Sequence, residues 1–111
     1  MHEMAITQGI VEICEQHAGG RPVTAVVLEI GALSGVVPEA VAFCFEACSS
    51  GTVAEGAKLQ IEQLPGQGRC LACQREQRIE RLFDPCCHCG SYQIEVVSGE
   101  ELRVREIEVE D

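Results

Sequence analysis

Residues 69–92 read RCLACQREQRIERLFDPCCHCGSY, and the fold is organised around them. Cys70-Leu71-Ala72-Cys73 and Cys86-Cys87-His88-Cys89 are two C-x-x-C pairs with twelve residues between them. Two residues between cysteines let a tight turn aim both sulfurs at one ion. Two such turns give four thiolates in a tetrahedron, the arrangement that Zn²⁺ accepts in a closed structural site. Gly90 sits where such a knuckle needs a residue tolerant of positive φ. Cys87 is one residue too close to Cys89 to form a C-x-x-C pair, so Cys86 and Cys89 are the expected ligands. His88 is expected to point outward. With four sulfurs bound, no position stays open for water or substrate. Tetrahedral sulfur suits iron as well as zinc, and two disulfides are the metal-free alternative.

The rest of the composition narrows the choices. The chain has 111 residues, eight of them cysteine, and a formal charge of −10 from 18 acidic and 8 basic side chains. Such acidity leaves no electrostatic footprint for duplex nucleic acid or an anionic membrane. A hydrophobic fraction of 46 % is enough for a real core, which excludes a disordered acidic tail or a bare disulfide knot. No stretch approaches the roughly 18 apolar residues of a membrane span. No basic region followed by an apolar run opens the chain, so the expectation is a cytoplasmic, reducing location, where cysteines more often bind metal than pair. Residues 69–92 carry four arginines against Glu76, Glu80 and Asp84, leaving four basic and fifteen acidic residues elsewhere. Phe83 and Tyr92 are too few to stack bases. A nucleic-acid zinc ribbon is therefore disfavoured.

On the N-terminal side of the cysteines, Ile6, Ile10, Ile13, Cys14 and Ala18 recur at helical spacing from Met4 onward, and Gly19-Gly20 with Pro22 ends that helix. Residues 23–30 are β-branched and apolar on both faces, which predicts a strand in the middle of a sheet. Pro38 suits the first turn of a second helix with a stripe of Val41, Cys44, Phe45 and Cys48. Residues 58–64 alternate as a half-exposed strand. Pro65-Gly66-Gln67-Gly68 marks a boundary. After the cysteines, Ile94 and Val96 suggest a strand, Ser98-Gly99 a turn, and residues 102–109 a last strand. Its apolar phase slips at Arg105-Glu106, which predicts a β-bulge there. The expected fold is α+β: two helices on a small mixed three-stranded sheet, with an inserted zinc-ribbon or rubredoxin-like four-cysteine module. Residues 1–66 and 98–111 would form the body and 67–97 the module.

A second constellation is Met1-His2-Glu3. A histidine at position two can chelate a divalent ion through the terminal amine, its own amide nitrogen and its imidazole, a set that favours Ni(II) or Cu(II). A solvated, frayed terminus is the bland alternative. His17 reads as a surface residue at a helix end, and Cys14, Cys44 and Cys48 as small core residues. No histidine–carboxylate pair can be assigned to any of these thiols, so no cysteine-nucleophile enzyme is indicated.

Several blocks carry a resemblance: Met1-His2-Glu3-Met4, residues 30–36 (IGALSGV), residues 43–46 (FCFE), residues 51–59 (GTVAEGAKL), the two cysteine pairs, and Cys89-Gly90-Ser91. In this order, over essentially the whole chain, the sequence resembles the HypA/HybF family of hydrogenase maturation factors. One departure is Cys87, where the family usually has proline. The resemblance implies a nickel metallochaperone and not an enzyme. It implies Ni(II) as cargo on Met1, His2 and Glu3, and Zn²⁺ on Cys70, Cys73, Cys86 and Cys89. Implied partners are a nickel-handling GTPase of the HypB type and the large subunit of [NiFe] hydrogenase. An edge strand or swapped C-terminal segments leave a homodimer open.

Overall fold

The computed structural model describes residues 3–111. The chain forms two compact units, one of residues 1–29, 36–62 and 103–111, the other of 30–35 and 63–102. Its elements are α1 (Glu3–Ala18), β1 (Val23–Gly31), α2 (Pro38–Ser49), β2 (Lys58–Leu64), β3 (Gly66–Cys70), β4 (Glu76–Ile79), β5 (Ile94–Ser98) and β6 (Leu102–Val109). No helix among the described residues is long and apolar enough to cross a membrane.

The first sheet has the order β2-β1-β6 and is mixed. Its central strand, β1, is apolar on both faces because both are covered: Val26, Leu28 and Ile30 are buried on one, Val23 and Val27 on the other. β1 and β2 run in the same direction, as Val23 N–H donating to Val53 O and Ala32 N–H to Leu64 O show. A parallel pair needs a long crossover, and α2 supplies it. β6 lies antiparallel to β1. Glu110 N–H donates to Pro22 O (2.9 Å) and Gly31 N–H to Glu101 O (2.7 Å). Nine residues separate the two contacts on each strand, so no extra residue is inserted. The bulge expected at Arg105-Glu106 is absent. Val104 and Ile107 instead occupy opposite faces of an edge strand, each half-buried. Arg103 pairs with Glu29 at 2.5 Å, and Arg105 with Glu62.

The two helices pack on each other. On α1 the buried face is Thr7, Ile10, Val11, Cys14 and Ala18. That stripe is rotated from the expected one, since Ile13 is 39 % exposed while Thr7 and Val11 are buried. Thr7 can lie inside because its hydroxyl donates to Glu3 O at 2.6 Å, which leaves no buried polar atom unpaired. Gly19 (φ 62°) and Gly20 (φ 81°) end the helix in the left-handed region. α2 begins at Pro38 without a side-chain cap, the missing N–H costing nothing in the first turn. Val41 and Phe45 are its buried anchors.

The second sheet, β4-β3-β5, is antiparallel; β5 is the strand expected at Ile94 and Val96, and β3 and β4 are additions to the sequence reading. Residues 65–68 read as a break, yet β3 starts at Gly66. A Cβ on Gly66 would strike Ile79 O and the Leu33 side chain, and one on Gly68 would lie 2.5 Å from Ile94 Cγ2. These glycines let three strands approach closely and are not a turn signal. The β3–β5 register shifts between Gln67 and Gly68.

Candidate metal centre

Two backbone turns of the same design carry the four cysteines. In the first, Cys70 N–H donates to Arg75 O (2.9 Å) and Gln74 N–H to Cys70 O (2.8 Å). In the second, Cys86 N–H donates to Ser91 O (2.8 Å) and Gly90 N–H to Cys86 O (2.9 Å). Each turn closes through a residue with positive φ, Gln74 at 68° and Gly90 at 78°. Each also aims backbone N–H groups at its first sulfur. Cys73 N–H reaches Cys70 Sγ at 3.4 Å, while His88 and Cys89 N–H reach Cys86 Sγ at 3.3 and 3.4 Å.

The four sulfurs all lie within 4.8 Å of one another. Cys70 Sγ is 3.6 Å from Cys89 Sγ, and Cys73 Sγ is 3.7 Å from Cys86 Sγ. A regular tetrahedron of about 2.3 Å Zn–S bonds has edges of about 3.8 Å, so these donors fit such an ion without rearrangement. The same distances are far too long for a disulfide, and all eight cysteines are free thiols. Cys70 and Cys86 are buried, Cys73 is half-buried and Cys89 exposed.

The backbone turns and the proximity of the four sulfurs together set the charge of the cluster. The N–H of Cys89, helped by that of His88, holds the Cys86 thiol down at about 6. The Cys73 N–H likewise lowers Cys70. At Cys73 the N–H of Arg75 pulls down, but desolvation and the neighbouring sulfurs of Cys86 and Cys70 outweigh it and the thiol ends raised. At Cys89 the N–H of Ser91 pulls down, and proton sharing with Cys70, desolvation and Cys86 push the thiol up to about 11. The first cysteine of each knuckle is thus the natural thiolate, and the second keeps its proton until a cation displaces it.

The remaining residues of the motif are placed as follows. Cys87 is exposed and outside the sulfur cluster, its N–H donating to Gln77 Oε1 at 2.8 Å. His88 is exposed too, with Nδ1 3.2 Å from Arg75 Nη1. Gln77 carries no mark in the sequence. It tethers the second knuckle to β4 from both sides, since its Nε2 also donates to Pro85 O at 3.1 Å. Asp84 turns the intervening loop by accepting the N–H groups of Glu80 and Arg81, both at 3.1 Å. No spacing rule marks either residue.

Of the nickel residues expected at the N-terminus, Met1 and His2 lie outside the described residues. Glu3 opens α1, half-exposed, in the first helical turn where the N–H dipoles favour a carboxylate. Its carbonyl is held by Thr7, so α1 keeps its helical geometry up to this residue.

Comparison with known proteins covers nearly the whole chain. The family described as "Hydrogenase/urease nickel incorporation, metallochaperone, hypA" matches residues 1–109. Hydrogenase maturation factor HypA of Geobacter metallireducens is 63 % identical over 110 residues, covering 99 % of this chain and all of that protein. HypA of Geobacter sp. (strain M21) is 64 % identical with the same coverage. Among solved structures, that of the Ni metallochaperone HypA from Helicobacter pylori superposes with a TM-score of 0.69, covering 98 % of this chain and 97 % of that one at 24 % identity. The last likeness shows the shared fold: two helices, two small sheets and a four-cysteine module. The chain belongs to the HypA family of nickel-incorporating metallochaperones that mature hydrogenase.

Proposed function

We propose that this protein carries Ni(II) at its amino terminus, on the Met1 amine, the His2 imidazole and backbone nitrogen and the Glu3 carboxylate, and that Cys70, Cys73, Cys86 and Cys89 hold a structural Zn²⁺. The observation that carries the reading is the family match from residue 1, together with the Met1-His2-Glu3 sequence that starts it. An exposed, incomplete coordination sphere suits a cargo that must be handed on, whereas four converging thiols suit an ion that stays. When bound, zinc supplies a cross-link between the two knuckles. Tetrahedral zinc with four sulfurs has no open position, so the site is kept out of transfer.

In this reading the protein is a carrier and not a catalyst, working in the cytoplasm with a GTPase of the HypB type to load the large subunit of [NiFe] hydrogenase. The acidic body is the face offered to these partners. A nickel titration of protein with its native terminus, beside a form extended by one residue and His2→Ala, tests the cargo site. Each variant is expected to bind nickel at least about 100-fold more weakly, more than the 10–100-fold that loss of an outer-sphere partner costs a metal site. Zinc content should stay at one per chain in all three. Nickel binding at parental strength in both variants would overturn the terminal site, and an iron-containing red protein would overturn the zinc assignment.

A further inference from the structure

Four cysteines lie outside the sulfur cluster, Cys87 on the second knuckle and three in the helices, and two of the helical ones are not simply core. Cys14 is completely buried, but Cys44 and Cys48 are half-buried and one turn apart on the same side of α2. Cys48 faces a third sulfur across the helix pair. Its Sγ is 3.1 Å from Met4 Sδ and 3.9 Å from Met4 O. Side chains in a helix lean toward its N-terminus, so the Cys48 sulfur lies over the turn that carries Cys44. Burial holds the Cys48 thiol above its ordinary range, and the charge that Cys44 would bear adds to this. The Cys48 thiol and the Met4 thioether thus meet at one edge of the α1–α2 contact, and Cys44 lies one turn away on the same side of α2. Met4 is 47 % exposed, which leaves an entry path, and its unbranched side chain can adjust to a ligand.

We infer that Met4, Cys44 and Cys48 form a second metal site, built for a soft monovalent cation of the Cu(I) class. Thiolate and thioether sulfur select Cu(I), whereas the nitrogen-rich set proposed for nickel favours a divalent ion of tetragonal geometry. Loading replaces two thiol protons, which pass to solvent, by one cation, and the thioether donates without losing anything. The oxidation state does not change, so no oxidant or reductant is consumed. The overall charge of −10 favours entry of a cation. The site shares no ligand with the cargo site, which uses Met1, His2 and Glu3.

An anaerobic titration of the full chain, already carrying its four-cysteine metal, with Cu(I) against a colorimetric Cu(I) chelator tests this. The first equivalent is expected to bind with a thiolate-to-copper absorption in the ultraviolet and without release of zinc. The Cys44→Ser/Cys48→Ser double variant should bind that equivalent at least about 100-fold more weakly, beyond the range seen for outer-sphere changes. Met4→Leu keeps the packing volume and removes only the sulfur, and should give a loss of about 10-fold, the low end of that range. Both variants should keep the helical circular dichroism and zinc content of the parent. Release of zinc by the first equivalent, or parental Cu(I) affinity in the double variant, would overturn the site.

Discussion

The two knuckles make the same hydrogen bonds with different means of support. The first is built into strands, since Cys70 ends β3 and β4 begins at Glu76, with Arg69 paired to Glu76 across the hairpin. The second is continuous with no strand, since β4 ends at Ile79 and β5 begins only at Ile94. It depends on the Gln77 side chain, which grips Cys87 N–H and Pro85 O. Yet in both turns the first thiol is lowered and the second raised. The backbone N–H groups lower the first thiol of each turn, and desolvation with the neighbouring sulfurs raises the second, whatever holds the turn in place. What differs between the knuckles is the source of rigidity, and rigidity can be attacked separately on each side.

The largest effect is expected from removing a thiolate. Cys70→Ser and Cys86→Ser should each lower bound zinc from one per chain towards zero, because a structural zinc site contributes about 10–16 kcal/mol of apparent binding energy that is also folding energy. The comparison sharpens in the metal-free state. There the Cys70→Ser protein should retain amide protection in β3 and β4, whereas the Cys86→Ser protein should lose protection throughout residues 80–92. Hydrogen exchange on both variants measures this. Equal loss of protection in the two would remove the distinction between a strand-borne and a tethered knuckle.

Gln77→Ala comes next. Each of its two hydrogen bonds is worth roughly 0.5–1.5 kcal/mol net, so the substitution should destabilise the metal-free protein by about 1–3 kcal/mol. With metal bound the effect on zinc retention should be a faster release to a chelator. An unchanged release rate would mean that the second knuckle does not need the tether.

Much of this organisation was legible beforehand, and the failures share a cause. The C-x-x-C spacing identifies the sulfurs that converge, because the turn geometry is local. β1 is legible because both its faces are apolar, and α2 because Pro38 fits only a first turn. What was missed depends on partners distant in sequence. Gly66 and Gly68 look like chain breaks until Ile79 and Ile94 are seen packed against them. Thr7 looks polar until its hydroxyl is seen bonded within the helix, and Ile13 looks like core until α2 is seen to cover another side of α1. The slip at Arg105-Glu106 suggests a bulge only if β6 must keep one buried face, and an edge strand has no such requirement. Gln77 carries no signal at all, since an amide in a linker is ordinary. The nickel residues are a different case: Met1 and His2 lie outside the described residues, and their role stays a proposal supported by the family match.

The protonation pattern yields a pH signature common to both knuckles. In metal-free, reduced protein Cys86 titrates at about 6, below the ordinary 9.0, and Cys89 at about 11. Between pH 6 and 9 the unfolded chain holds the Cys86 proton that the folded chain has lost, so stability should rise with pH. Between 9 and 11 the folded chain keeps the Cys89 proton that the unfolded chain has lost, so stability should fall. The melting temperature of the stripped protein should therefore peak near pH 9. Cys86→Ser should flatten the acid side and Cys89→Ser the alkaline side. A profile unaltered by both would show that the knuckle's N–H groups and clustered sulfurs do not set the thiol charges.

The smallest effect separates the two left-handed positions. Gly90 has φ 78° and nothing within 4 Å of an added Cβ, so Gly90→Ala meets only backbone strain. Holding a non-glycine residue in this region costs on the order of 1 kcal/mol. Gln74 already bears that cost at φ 68°. Gln74→Gly relieves it while making the unfolded chain more flexible, which offsets roughly 0.4–1 kcal/mol of the gain. Gly90→Ala should thus lower the stability of the metal-free protein by about 1 kcal/mol, and Gln74→Gly should change it by no more than about 0.5 kcal/mol in either direction. Denaturant midpoints measured on the two variants decide the matter. If Gln74→Gly destabilised as much as Gly90→Ala, the Gln74 side chain would be making a contact beyond its turn, and the knuckles would differ in substance as well as in support.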